Sequence, residues 1–116
     1  MRGILTRLNQ ETGISGSMVI TPDGIMVAAA LGPGFEEDSM AAFAASLLLS
    51  LKRNFSLLKT KGDLRSCSLT AANGKVMFYD MPNSYLVLVS DSDTEIDGNA
   101  APIQEAIRKI CNRRIA

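Results

Sequence analysis

Residues 36–58 read EEDSMAAFAASLLLSLKRNFSLL, and how this stretch folds decides the architecture around it. Met40, Phe43, Ala44, Leu47, Leu48, Leu51, Phe55 and Leu58 follow the i, i+3, i+4, i+7 rule of an amphipathic helix. The pattern runs over about 22 residues, a helix roughly 33 Å long. Ser39 is the expected N-cap, and Glu36, Glu37 and Asp38 place negative charge at the positive end of the helix dipole. Lys59 and Lys61 form a basic last turn, and Gly62 is the expected stop.

On either side of this helix the sequence predicts hairpins. Gly16–Thr21 and Ile25–Leu31 flank the turn Pro22-Asp23-Gly24, and Gly32-Pro33-Gly34 ends the second strand. Leu64–Thr70, Lys75–Met81 and Tyr85–Ser90 read as three further strands, joined through Asn73-Gly74 and Pro82-Asn83. A short first helix carries Ile4, Leu5 and Leu8 and stops at Gly13. A last helix has Pro102 in its first turn and Ile103, Ala106, Ile107, Ile110 and Cys111 on one face. The order α-β-β-α-β-β-β-α, without linker or repeat, makes residues 1–116 one α/β sandwich with a five-stranded antiparallel sheet.

Composition narrows the function. At 116 residues with 47% apolar side chains, the chain builds one core. The absence of His removes the commonest general base and metal ligand, which counts against hydrolase triads and zinc sites. Twelve basic and twelve acidic residues balance, so no global field steers the protein to nucleic acid or anionic lipid. Cys67 and Cys111 are far apart in sequence and read as small buried hydrophobes. The opening Met1-Arg2-Gly3 is no secretory leader, and the uncharged run Ser39–Leu51 is too short to cross a bilayer. The expectation is a reduced, cytoplasmic domain with no membrane insertion.

Individual motifs fail in detail. Asn73-Gly74-Lys75 lacks the upstream glycine and the Ser/Thr of a P-loop. Asp91-Ser92-Asp93-Thr94-Glu95-Ile96-Asp97-Gly98 alternates acids like a calcium loop, but Ile96 and Pro102 stand where glycine and a bidentate acid belong. Arg108, Lys109, Arg113 and Arg114 suit a helix C-terminus without any ligand. Tyr79, Asp80 and Tyr85 are the one polar cluster an enzyme could use, and they read as strand-end residues. No catalytic residue, cofactor or metal is expected.

The long helix retains an unexplained feature. Ala42, Ala45, Ser46 and Leu49 repeat the helical spacing on its other side, and no charge falls between Asp38 and Lys52. A helix apolar nearly all round is buried on two sides, and the second burying surface is most simply a second chain, the alternative being the last helix or a loop of the same chain. The strand after it, Leu64–Thr70, has little bulk, so as an edge strand it can pair with its own copy. The expected dimer surface is Ala42, Ala45, Ser46, Leu49 and Arg53 with Cys67 and Leu69, and Ala45→Glu should break it by burying an unpaired charge.

Thr12-Gly13-Ile14-Ser15-Gly16-Ser17, leading into Met18-Val19-Ile20-Thr21-Pro22-Asp23-Gly24-Ile25-Met26-Val27-Ala28, resembles the Roadblock family of dynein light chains and bacterial MglB proteins. The Ala-rich helix, Gly74, the strand Tyr85-Leu86-Val87-Leu88-Val89 and the final helix extend the resemblance over the whole chain. It implies a profilin-like fold and a twofold homodimer whose sheets join into ten strands. It also implies a non-catalytic regulator or scaffold of a small Ras-like GTPase, in the MglB manner, that reorganises the GTPase's own catalytic groups. Lys52 and Arg53 are then not catalytic. MglB proteins often carry a C-terminal tail, whereas this sequence ends at Ala116, directly after the last helix. The resemblance also covers a structural adaptor, paired with itself or another Roadblock subunit, that leaves nucleotide turnover unchanged.

Overall fold

A computed structural model describes residues 1–57, 66–72, 74–91 and 101–115. Helix α1 (Arg2–Thr12) leads into strands β1 (Gly16–Ile20) and β2 (Met26–Leu31). Helix α2 (Glu37–Leu57) follows, then β3 (Ser66–Ala71), β4 (Gly74–Met81), β5 (Ser84–Ser90) and helix α3 (Ala101–Ile115). The strands form one antiparallel sheet in the order β2-β1-β5-β4-β3. Hairpins β1–β2 and β4–β5 are joined through the β1–β5 ladder, which leaves β2 and β3 as the edges among the described strands. This is the expected α-β-β-α-β-β-β-α sandwich.

Each sheet face carries its own core. On one, Leu5 and Leu8 of α1 and Ile103, Ala106 and Ile110 of α3 bury Val19, Met77, Tyr79, Leu86 and Leu88. On the other, Ala41, Ala44 and Leu48 of α2 cover Met18, Ile20, Phe78, Tyr85 and Val87. With both faces covered, β1 and β5 are buried at every position, so their sequences read as continuous apolar runs. Asn9 ties α1 to the sheet: its Nδ2 donates to the Ala30 carbonyl at 2.8 Å, and its Oδ1 accepts from the buried Ser17 hydroxyl at 2.7 Å.

Turn chemistry follows the sequence closely. Gly13 ends α1 in the left-handed region (φ 74°), its N–H donating to the Asn9 carbonyl at 2.9 Å. Asn83 adopts φ 60° in the β4–β5 turn, a conformation Asn tolerates. Between β1 and β2, Thr21 organises the turn. Its N–H donates to the Ile25 carbonyl, its carbonyl accepts from Gly24, and its Oγ1 accepts from the Ile25 N–H. Those bonds take Thr21 and Ile25 out of the strands that the sequence assigns them.

Two expectations for the long helix are corrected. Ser39 is not its N-cap: α2 begins at Glu37, and the Met40 N–H closes the first turn on the Glu36 carbonyl at 3.0 Å. Ser39 lies inside that turn, its hydroxyl donating to Glu36 Oε2 at 3.0 Å. Phe43, expected on the sheet-covering stripe, is 47% exposed. The bulky floor of Met18, Phe78 and Tyr85 is matched by the small Ala41 and Ala44, which turns Phe43 outward. Leu58, Lys59, Lys61, Gly62, Leu64, Arg65, Asn73, the acids from Asp93 to Asp97, and the side chains of Phe55, Arg113 and Arg114 lie outside the described residues.

Candidate functional site

At 100° per residue, the sides of α2 can be assigned one by one. Ala41, Ala44 and Leu48 point into the sheet, and Met40, Leu47 and Leu51 pack around them half-buried. Ala42, Ser46, Leu49 and Arg53 are all exposed and fall within an arc of about 60° on the opposite side. Leu49 is 61% exposed. Four of the five helix positions singled out from sequence therefore form one outward ridge.

Ala45 occupies a different place. It is half-buried on the flank of α2 that faces the β1–β2 turn, and a Cβ at Gly24 would lie 2.7 Å from its own Cβ. Further along that flank, the Lys52 ammonium sits 4.7 Å from the centroid of the buried Tyr85 ring. This chain's own turn and strand thus occupy one side of the helix. The other flank carries exposed Phe43 and Ser50 beside half-buried Leu47.

The edge strand β3 adds to the same face. Cys67 is registered with Phe78 and Leu69 with Val76, and Phe78 and Val76 belong to the core beneath α2. Residues directly opposite in an antiparallel ladder share a face, so Cys67 and Leu69 lie on the α2 side of the sheet. Ser66, Ser68 and Thr70 fall on the α1–α3 side. Cys67 is half-buried and Leu69 exposed, while Cys111 packs against the opposite core. The structure brings together the outward ridge of Ala42, Ser46, Leu49 and Arg53, the flank of Phe43 and Leu47, and a strand edge unpaired among the described strands that bears two apolar side chains.

Two other places could hold a ligand. Tyr79 and Tyr85 are buried in different cores on opposite sheet faces, and Asp80 is exposed, so the three do not converge on one pocket. An open groove of about 480 Å³ runs between α1 and α3, lined by Ile4, Arg7, Leu8, Glu11, Glu105 and Lys109. Its rims carry their own pairs, Arg7 Nε to Glu11 Oε1 at 2.9 Å and Arg108 Nε to Glu105 Oε2 at 3.1 Å. The Arg108 hydrogen bond, with Lys109 and Arg7 nearby, holds the Glu105 carboxyl below its ordinary pKa. Among the described residues no helix is long and apolar enough to cross a membrane.

Sequence reasoning missed Phe43 and Ile25, both among the most exposed large apolar side chains described. Phe43 shares the helical spacing of the true core positions, so period alone could not separate it. For Ile25 the signal was present: a Thr four residues before it, able to cap the turn through its hydroxyl.

A family model described as the Roadblock/LC7 domain matches residues 3–90. An uncharacterized protein of Methanocaldococcus jannaschii, MJ0714, is 25% identical over 107 residues, covering 92% of this chain and 90% of its own length. Among solved structures, a Roadblock/LC7 domain from Streptomyces avermitilis superposes with a TM-score of 0.87 at 12% identity, covering 100% of this chain and 98% of its own. Myxococcus xanthus MglB gives 0.85 at 13% identity, with 98% and 94% covered. The fold extends to profilin IA of Acanthamoeba castellanii, at a TM-score of 0.57 and 17% identity, covering 98% and 95%.

Proposed function

Because this chain belongs to the Roadblock/LC7 domain family, we propose that it works as a homodimeric, non-catalytic regulator or scaffold of a small Ras-like GTPase. The observation that carries this reading is the outer side of α2, uncharged from Ser39 to Leu51, beside the edge strand β3, which no further described strand pairs, on one face of the sheet. Two copies related by a twofold axis would pair β3 with β3, joining their sheets into ten strands. Their α2 helices would then meet through the flank of Phe43 and Leu47, with Cys67 and Leu69 beneath them. Of the residues expected at the interface, Ala42, Ser46, Leu49 and Arg53 line its upper rim. Ala45 supports it from within the protomer.

The paired ridges make one surface on which a partner can rest. Such a protein changes GTP hydrolysis only by binding the hydrolysis-competent conformation of the GTPase more tightly than the others. Lys52 rests over the Tyr85 ring of its own chain, and no catalytic role is assigned to it.

The test is capture of partners by the tagged protein with a non-hydrolysable GTP analogue or with GDP, followed by a turnover assay. Recovery of a Ras-like GTPase mainly with the analogue supports the regulator, and faster hydrolysis then identifies an activator. Equal recovery with both nucleotides, or recovery of another Roadblock subunit alone, would make the protein a structural adaptor.

A further inference from the structure

The second free edge of the sheet, β2, differs in chemistry from β3. Ile25-Met26-Val27-Ala28-Ala29-Ala30-Leu31 contains no charge and no proline, the residues that natural edge strands use to refuse a further strand. One protective device is present, a bulge that shifts the register between Val19 and Ile20 and leaves Val27 without a partner on β1. It does not cover the apolar side chains here: Ile25 is 64% exposed and Val27 41%. From Ala28 to Leu31 the ladder is regular, with β1 as the only neighbour among the described strands.

Charge brackets this apolar edge on both sides. Asp23 precedes it, and Glu36, Glu37 and Asp38 follow it, with no charged residue between Asp23 and Glu36. All four are exposed, and none forms an ion pair among the described residues. A second copy of β2 would suit this edge poorly. Antiparallel self-pairing would bring the Asp23 end of one chain toward the Glu36–Asp38 end of the other, so like charges would approach at both ends.

We propose that the β2 edge is a docking site for an extended segment of a partner protein, uncharged over about six residues and carrying Lys or Arg at each end. The new strand would hydrogen-bond to the outer side of β2 and cover Ile25 and Val27. Its terminal cations would meet Asp23 at one end and the acids of the α2 start at the other. This surface lies at the edge opposite β3, so the inference stands independently of the dimer and the GTPase.

The test is amide NMR of the full chain titrated with two blocked peptides of about ten residues, each an alternating Val-Thr core flanked by paired lysines or by paired glutamates. The lysine peptide should shift the amides of Met26–Leu31 and slow their hydrogen exchange, binding at least about tenfold more tightly than the glutamate peptide at low salt. The double variant Asp23→Asn, Glu37→Gln should lose most of that difference while keeping the spectrum of the folded protein. Equal binding of the two peptides, shifts confined to β3 or to the α1–α3 groove, or no shifts at millimolar peptide would overturn the proposal. So would protection of the β2 amides that rises with protein concentration alone, which would assign the edge to a second copy.

Discussion

Gly24 shows how one residue holds the long helix in place. Its φ of +88° lies in the region that side chains avoid, and the space where a Cβ would stand is taken by Ala45 of α2. Gly24→Ala should therefore cost about 2–3 kcal/mol, combining left-handed backbone strain with overpacking. Part of that cost is steric, so it should shrink when Ala45→Gly opens the contact, even though glycine in a helix interior is itself unfavourable by about 1 kcal/mol. Urea denaturation of the four-member cycle should give a coupling above about 0.5 kcal/mol. Additive effects would mean that turn and helix do not touch. On the opposite sheet face, the hydrogen bond from Arg108 is the main cause of the lowered Glu105 pKa. Because that pKa is depressed on folding, any stability it contributes is present above the unfolded pKa and lost as pH falls through the folded one. Removing the cation with Arg108→Gln should move the Glu105 titration midpoint upward, which carboxyl-carbon NMR can follow. Both groups are exposed, so added salt should have the same direction of effect.

At the scale of the element, the rotation of α2 about its own axis decides which residues the proposed dimer would use. Phe43→Glu should leave the protomer folded, because the side chain is already 47% exposed, yet keep the protein monomeric, since the proposed dimer would bury an unpaired charge at its contact. Light scattering reads the mass directly, and a Phe43→Glu protein that keeps a dimer's mass would remove this flank from the interface. Ala45→Glu is a poorer probe than its sequence position suggests, since Ala45 is half-buried against the β1–β2 turn of its own chain and a charge there would disturb the protomer as well. The two-sided apolarity of α2 was legible in the sequence, because period and the missing charges between Asp38 and Lys52 do not depend on tertiary context. Its rotation was not legible. Phe43 and Leu48 fit the same helical spacing, and only the volumes of Met18, Phe78 and Tyr85 beneath the helix decide which turns inward. The start of the helix was misplaced for a related reason. Ser39 is a favourable cap by type, but the Glu36 carbonyl closes the first turn before it. The bare edge at β3 could be anticipated because its alternation of small and polar residues already spoke against a buried strand. The apolar edge at β2 could not, since its sequence reads like an interior strand.

For the whole molecule, the proposed dimer has two conceivable arrangements, one shared sheet or a contact through the helices alone. The protein carries no net charge, so two copies meet without global repulsion, and local chemistry decides the geometry. If the sheets join at β3, the outward amides within Ser66–Ala71 are hydrogen-bonded in the dimer and open to water only when it separates. Exchange through the monomer ties their rate to the dissociated fraction, which for a tight dimer falls as the square root of concentration. Raising the protein concentration tenfold should then slow these amides by about threefold, while amides buried in the protomer's own ladders hold their rates. A helix-only dimer gives a different result: a dimer's mass by scattering, with β3 amides that exchange rapidly at every concentration. Phe43→Glu separates the two arrangements further. In a shared sheet, losing the helix contact abolishes the concentration dependence at β3, because one strand pair alone is too weak to hold two chains together.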